Sequence, residues 1–273
     1  METIFKKHFV AYLDLLGFKE FVFSKNFQEN IQRTLEIIEN SVSRSVERNP
    51  HGIYPNETIK TTVISDSIIL SIPFDETETW QEQVKSLRFL LSAVEKIQYT
   101  FALNNIWVRG AVSAGLLNHN KKNVIGKALI NAYLLEQQSV FPRVLVDPKT
   151  LTRLFKSTPN CNTKAQIINE VNRDFGNPDY SGKFLFNWSS NDSYNVFSED
   201  YPFFIHYLNS LLLEDESDTR SKILDNLIKN LYVKDPKIHK KFRWVTDYLK
   251  VYISKNLDGK EYLNNYYQKL SLL

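Results

Sequence analysis

Residues 8–18 read HFVAYLDLLGF, an apolar run over 8–13 that ends at Asp14 and is followed by Gly17. A short apolar run closed by turn residues predicts a buried strand that leads into a tight turn. A carboxylate at the end of such a strand is costly to bury unless it is paired or bound to a cation. The stretch therefore predicts the first strand of a sheet and makes Asp14 a candidate functional residue.

Helical and strand-like patterns alternate after this strand. Apolar positions recur every three or four residues over 27–48 and 80–103, which predicts two amphipathic helices. β-branched runs on both sides of Ser65-Asp66-Ser67 predict a hairpin. Further patterns predict a strand at 107–117, a helix at 127–138 and a strand at 143–148. This order of elements favours an α/β (α+β) sandwich on a mixed sheet.

The character of the chain changes after residue 155. Residues 157–202 are rich in Asn, Asp, Ser, Pro and aromatic residues, with one strand-like segment at 183–188. Apolar runs at 204–213, 223–231 and 242–253 predict helices. We therefore expect a domain of residues 1–155 and a mainly helical C-terminal extension of residues 156–273. The extension is expected to pack on the first domain and to offer a surface to a protein partner.

Composition bounds the class of protein. The chain has 273 residues, 42% of them hydrophobic, which is enough for a sizeable globular core. A net charge of +3 does not indicate nucleic acid as a partner. The single cysteine, Cys161, excludes an internal disulfide and a zinc site of several cysteines. No apolar run approaches the roughly 20 residues that span a bilayer, so we expect a soluble, cytoplasmic protein without membrane contact.

Asp14 and Asp66 are the most informative pair of residues. If their strands are neighbours, both carboxylates meet at one edge of the sheet. Two convergent carboxylates bind Mg²⁺ or Mn²⁺, usually together with substrate phosphates, and such sites perform phosphoryl and nucleotidyl transfer. The alternative is that each Asp caps a turn, which Asp does routinely. The pair, on this order of elements, favours the metal.

Four segments resemble, in order and spacing, the motifs of class III nucleotidyl cyclases: 12–18, 63–67, 109–115 and 126–136. The resemblance covers about residues 8–155 and implies a ferredoxin-like or palm-type mixed sheet. It also implies that Asp14 and Asp66 bind Mg²⁺ or Mn²⁺. The backbone N–H groups of the following turn would receive a triphosphate, as oriented amides do for anions in general. The residues of that turn are Leu15, Leu16, Gly17 and Phe18.

The resemblance is incomplete where the base is read and the transition state is stabilised. The family's transition-state Asn and Arg align with Ile130 and Leu134. Its purine-selecting Lys and the acidic partner of that Lys align with Thr62 and Asn123. The loss of the Lys/acid pair argues against adenine or guanine. It favours a pyrimidine triphosphate, the substrate of the bacterial antiphage pyrimidine cyclases of the same superfamily.

Cyclisation still needs a cation where charge builds on the α-phosphate. Arg109, beside the sheet edge, and Lys127, at the predicted start of a helix, are the candidates that we favour for catalytic roles. Lys121, Lys122 and Arg143 are further candidates. A solvated or salt-bridged surface cation is the alternative for each of them.

The resemblance implies a homodimeric enzyme that releases pyrophosphate and a cyclic mononucleotide. The alternative is a catalytically inactive nucleotide sensor or scaffold, which the missing Asn and Arg support. Another palm-fold enzyme is disfavoured, because residues 64–67 lack the Gly-Gly and acidic pair of the diguanylate-cyclase hairpin. A role in antiphage defence would rest on analogy alone.

Two further patterns carry less weight. The interval 229–260 is basic and predicts a solvated helix face, with contact to phosphate-bearing partners as the alternative. Five histidines show no paired ligand spacing and are predicted to be individual surface or cap residues: His8, His51, His119, His206 and His239.

Overall fold

The computed structural model describes residues 5–47, 58–155, 164–172, 185–187 and 203–273. Its strands are β1 (Lys6–Leu16), β2 (Lys60–Ile64), β3 (Ser67–Pro73), β4 (Trp107–His119), β5 (Val124–Gly126), β6 (Val144–Val146), β7 (Leu185–Asn187) and β8 (Phe203–Ile205). Its helices are α1 (Phe18–Val22), α2 (Phe27–Glu47), α3 (Trp80–Leu103), α4 (Lys127–Glu136), α5 (Pro148–Phe155), α6 (Lys164–Asn172), α7 (Ser217–Leu231), α8 (Pro236–Ser254) and α9 (Glu261–Ser271). The elements predicted before residue 155 are all present, within a few residues of their expected bounds.

The strands form one sheet in the order β2-β3-β1-β4-β6-β8-β7, and β5 pairs with β4 beside this path. Neighbours among β2, β3, β1 and β4 are antiparallel. A split β-α-β-β-α-β unit of the ferredoxin-like type has this strand order. β6 joins β4 in parallel and makes the sheet mixed. The predicted fold class, an α/β sandwich on a mixed sheet with a mainly helical C-terminal part, is confirmed.

The two faces of the sheet are covered by different helices. Phe9, Ala11, Leu13 and Leu15 of β1 pack in the main core with residues of α3. On the opposite face, Val10 and Tyr12 pack in a small cluster that includes Ala128 of α4. We call this second side the α4 face. Asp14 lies on the α4 face as well, because side chains two positions apart in a strand point to the same side.

The C-terminal helices α7, α8 and α9 also pack on this sheet. Their buried side chains form one cluster with Trp107 of β4, Leu145 of β6 and Phe204 of β8. Trp107 is paired with Leu16 at the end of β1, so the cluster reaches the end of the sheet where Asp14 lies. The expectation that the C-terminal part packs on the first half of the chain is confirmed.

The helix predicted at 204–213 is wrong. Residues Phe203–Ile205 form β8, which pairs with β6, and Asn209–Leu212 form a short 3₁₀ helix. Phe203 is buried in the main core, whereas Phe204 is buried in the C-terminal cluster on the other side of the sheet. An apolar run buried on both faces has no alternation, so periodicity does not distinguish a short strand from a helix.

Some expectations fall partly or wholly outside the described residues. Cys161 and His51 lie there, and the strand expected at 183–188 is described only over Leu185–Asn187. Within the described ranges, no helix is long and apolar enough to cross a lipid bilayer.

Candidate active site

The end of β1 meets the β2–β3 hairpin turn at one end of the sheet. Asp14 is paired with Ser67, and the N–H of Leu15 donates a hydrogen bond of 2.9 Å to the carbonyl oxygen of Asp66. Ser65, at the start of the turn, has a φ of 57°, as the tight turns of two-residue hairpins require. The strand ends that carry the two aspartates are therefore adjacent.

Both aspartates act on the same tyrosine of the α4 face. The Tyr12 hydroxyl lies 2.7 Å from the hydroxyl of Ser67. Burial is the main cause that raises the pKa of Tyr12, and the negative charges of Asp14 and Asp66 raise it further. Asp14 and Asp66 thus contribute negative potential to one small region.

Arg109 lies directly opposite Asp14 on β4. Its Nε donates a hydrogen bond to Oδ2 of Asp14 at 2.9 Å and lies 2.8 Å from Oε1 of Glu136 at the end of α4. Nε carries one hydrogen, which points to Asp14, so the approach to Glu136 is an ion pair without an aligned hydrogen bond. Arg109 therefore bridges two carboxylates through Nε, and its expected catalytic role stays a prediction.

Glu136 is a residue of this cluster to which the sequence analysis gave no role. It is buried, and its Oε2 accepts a hydrogen bond from the side chain of Gln137. Burial raises the pKa of Glu136, Arg109 opposes that rise, and the two aspartates add to it. Its spacing in the sequence could have indicated this position. Glu136 follows the buried Ala132 by four residues on α4, and residues four apart lie on the same face of a helix.

The turn after β1 offers fewer backbone N–H donors to a triphosphate than expected. Gly17 has a φ of 78°, a left-handed conformation that glycine adopts without steric cost. The N–H of Leu15 is already bonded to Asp66, and its side chain is buried in the main core. Leu15 is therefore removed from the expected set of triphosphate donors, which leaves Leu16, Gly17 and Phe18.

A buried hydrogen-bonded chain lies on the α4 face, nearer the start of β1. The Ser71 hydroxyl lies 3.1 Å from Nδ1 of His8 and 2.7 Å from Nδ1 of His119. Nε2 of His119 lies 2.9 Å from the hydroxyl of Thr62. Burial is the main cause that lowers the pKa of each histidine to about 4.

These hydrogen bonds correct the interpretation of the histidines. His8, His119 and His206 are buried, so their assignment as surface or cap residues is wrong. The same contacts place the two expected base-reading positions close to each other. Thr62 is hydrogen-bonded to His119, whose strand partner Val124 directly follows Asn123.

The structure does not bring Lys127 to the aspartates. Lys127 follows Gly126, which pairs with Leu117, and Leu117 pairs in turn with Lys6 at the start of β1. Lys6 precedes Asp14 by eight strand positions, or roughly 26 Å. The further candidate cations also lie elsewhere. Lys121 and Lys122 are in the β4–β5 turn, and Arg143 lies against the rings of Phe141, Phe204 and Trp244.

The outer side of α4 is apolar at positions where the family that the sequence resembles has polar groups. The side chains of Ile130 and Leu134 are 54% and 55% exposed. Tyr133, between them, makes an edge contact with Tyr12, with ring centroids 5.5 Å apart. No transition-state amide or guanidinium comes from these positions.

The donor chemistry of this edge fits a divalent cation. Asp14 and Asp66 supply carboxylate oxygens, and in the described part of the chain Oε1 of buried Glu136 accepts no hydrogen bond. Hard oxygen donors of this kind suit Mg²⁺ or Mn²⁺, which keep several waters and are completed by substrate phosphates. Among the described residues no group of three or more His, Cys, Asp or Glu could hold a metal by itself. The fit is therefore to an open, two-carboxylate site.

Comparisons with known proteins give a likeness of fold. No protein-family model and no curated protein matches the sequence. The adenylyl cyclase CyaB from P. aeruginosa is similar at 15% identity and a TM-score of 0.40, over 58% of this chain and 84% of that one. The guanylyl cyclase Cya2 is similar at 15% identity and a TM-score of 0.39, over 56% and 81%.

A third similar structure is the catalytic core of a rhodopsin-guanylyl cyclase with converted specificity, in complex with ATPαS. It is 13% identical with a TM-score of 0.41, over 56% of this chain and 82% of that one. Likeness at this level transfers neither substrate nor mechanism, so the functional argument rests on the residues of the chain itself.

Proposed function

We propose that the chain is a divergent nucleotidyl cyclase-like protein that binds a nucleoside triphosphate and a divalent cation at Asp14 and Asp66. The observation that carries the proposal is the adjacency of the strand end at Asp14 and the hairpin turn at Asp66, with Asp14 held by Arg109. The same residues belong to the segments that resemble class III cyclases. The proposed products are a cyclic mononucleotide and pyrophosphate.

In the proposed reaction the 3′-hydroxyl oxygen of the ribose attacks the α-phosphorus. A bond forms between that oxygen and phosphorus, the bond from the α-phosphorus to the bridging oxygen of the β-phosphate breaks, and the hydroxyl proton passes to water. Atoms and electrons balance without an oxidant or a reductant. Bound Mg²⁺ or Mn²⁺ supplies charge neutralisation at the phosphate oxygens.

The residues of the chain prepare the site for this reaction. Asp14 and Asp66 provide the cation's oxygen ligands, and Arg109 fixes the position of Asp14 through Nε. The backbone of Leu16, Gly17 and Phe18 faces the triphosphate in this proposal. An aspartate that is already oriented loses little further conformational freedom when its ligand binds, which favours affinity.

The uncharged side chains at the two expected base-reading positions support a pyrimidine. The hydroxyl of Thr62 is hydrogen-bonded to His119, whose lowered pKa keeps its ring uncharged at neutral pH. Neither Thr62 nor Asn123 supplies the charged pair that selects purines in the resembling family.

We also propose that the protein acts as a homodimer whose second copy covers the outer side of α4. Ile130 and Leu134, one helical turn apart, are more than half exposed there. Clustered exposed apolar side chains mark interaction surfaces more often than they mark free surface. A second copy would also bring further polar groups to the site.

The second candidate function is nucleotide binding without turnover. Arg109 is held by two carboxylates, and Ile130 and Leu134 provide no polar group where charge would build on the α-phosphate. Loss of one such donor costs roughly 10²–10³ in rate in comparable sites. A sensor needs the ligands of Asp14 and Asp66 but not those donors.

Product analysis distinguishes these two functions. The purified protein is incubated with each of the four ribonucleoside triphosphates and Mn²⁺, and the products are identified by mass spectrometry. We expect a cyclic pyrimidine mononucleotide from the wild type and none from Asp14→Asn or Asp66→Asn. Asp225→Asn is the matched control, because Asp225 is an exposed carboxylate on α7.

The outcomes distinguish an enzyme, a nucleotide sensor and a protein with neither function. A product that persists in both aspartate variants contradicts the assigned site. Nucleotide binding that needs Asp14 and Asp66 but yields no product supports the sensor. No binding by a folded wild type contradicts both functions.

A further inference from the structure

We propose that Lys241 of α8 is a phosphate-binding residue of the Asp14–Asp66 site, so that the C-terminal part of the chain supplies a cation that the first half lacks. This inference rests on the proposed function and deepens it. Nothing in the sequence pattern distinguishes Lys241 from the other lysines of the basic interval 229–260, and the distinction comes from packing.

α8 packs at the end of the sheet that carries the aspartates. The ring of Phe242 makes an edge contact with the ring of Trp107, with centroids 5.1 Å apart. Trp107 and Arg109 are two positions apart on β4 and share the α4 face, where they pair with Leu16 and Asp14. α8 therefore crosses the α4 face at the end that carries the aspartates, and Lys241 directly precedes the anchoring Phe242.

Lys241 lies in the electrostatic field of the site. Burial and then the positive charges of Arg109 and Lys237 lower its pKa, whereas the negative charges of Asp14 and Asp235 raise it. Lys241 thus lies within electrostatic reach of both members of the central ion pair. In the described ranges no carboxylate lies within 4.0 Å of its ammonium group. Its charge is therefore available to a ligand in a way that the charge of Arg109 is not.

The site as a whole has more carboxylates than cationic side chains. Asp14, Asp66 and Glu136 are three carboxylates, and Arg109 is engaged by two of them. Even with a divalent cation, such a site has little positive charge left for a triphosphate. A lysine ammonium is a compact point charge on a flexible stem, which suits it to binding phosphate oxygens as they arrive.

The neighbouring Lys240 provides a matched control. Lys240 is exposed, whereas Lys241 is partly buried. Consecutive residues of a helix are about 100° apart around its axis, so Lys240 points away from the surface that Lys241 faces. Substitution of either lysine changes the net charge of the protein by the same amount.

The test measures binding of inorganic triphosphate in the presence of Mn²⁺ by isothermal titration calorimetry. We expect Lys241→Met to weaken binding by about 10-fold to 100-fold, the loss of one charge-assisted contact. Lys241→Arg should keep most of the affinity, and Lys240→Met should match the wild type. Thermal unfolding of each variant is recorded alongside. Should Lys241→Met fail to fold, Lys241→Gln replaces it, because Gln keeps a polar tip without the charge.

The outcomes separate this inference from the function on which it rests. If the wild type binds triphosphate and folded Lys241→Met or Lys241→Gln binds it equally well, the inference is overturned and the proposed function stands. A Lys240→Met effect as large as that of Lys241→Met overturns it too, because the effect is then one of net charge. If the folded wild type binds no triphosphate, the proposed function itself fails.

Discussion

Asp14 ends a buried strand, and its carboxylate is held there by a guanidinium. The partner is Arg109, which also contacts the buried Glu136. Removing one member of a partly buried charge cluster leaves another member without compensation. The ion pair offsets the cost of partly burying the Asp14 carboxylate, and it also presents that carboxylate to a ligand in one orientation. Stability and site geometry are therefore coupled at this residue.

The buried histidines predict a pH dependence of stability. His8 and His119 have pKa values of about 4 in the folded protein, against 6.5 in the unfolded chain. The unfolded state binds more protons between these values, so the free energy of unfolding is highest above pH 6.5 and falls as the pH drops towards 4. Each histidine contributes up to about 3 kcal/mol to this fall.

Urea unfolding at several pH values checks this prediction. His119→Gln should show a shallower fall between pH 6.5 and 4 than the wild type. His239→Gln is the control, because His239 is exposed on α8 and should keep the wild-type slope. If the free energy of unfolding falls equally steeply with pH in His119→Gln and in the wild type, the predicted contribution of His119 is contradicted.

At the scale of elements, the pairing of β1 with β4 determines the site. β1 is paired with β4 along the whole length of β1, and this register places Asp14 opposite Arg109. Gly110, next to Arg109, allows the close approach. A Cβ at Gly110 would lie 2.4 Å from the carbonyl oxygen of Tyr12 and 2.8 Å from Cδ2 of Leu13. The oxygen belongs to the backbone of β1, so the strands themselves would have to separate.

Gly110→Ala is therefore expected to destabilise the protein by about 1–3 kcal/mol, the usual range for overpacking. It should also weaken binding at the site, because the shift occurs one residue from Arg109. Gly259→Ala is the comparison: among the described residues no atom beyond its chain neighbours lies within 4 Å of an added Cβ, and its φ of 70° alone gives a cost of roughly 1 kcal/mol. Denaturant unfolding compares the two, and a Gly110→Ala cost no larger than that of Gly259→Ala would contradict the close-contact argument.

At the scale of the whole molecule, local patterns and long-range contacts divide what the sequence could predict. The strand at Asp14, the hairpin at Asp66 and the two long helices follow from periodicity and turn residues. The strand at Phe203–Ile205 did not, because burial on both faces removes the alternation that identifies a strand. The roles of Glu136 and Lys241 depend on helices that cross the sheet far along the chain, and no local pattern encodes such a crossing.

The central claim is that Asp14 and Asp66 together hold one divalent cation. Titration of the protein with Mn²⁺, followed by the loss of the electron paramagnetic resonance signal of free Mn²⁺, tests it without any assumption about the base or the product. We predict one site in the wild type and in Asp225→Asn, and binding weaker by more than about 10-fold in Asp14→Asn and in Asp66→Asn. Equal binding by the wild type and both aspartate variants, or no binding by a folded wild type, would contradict the claim.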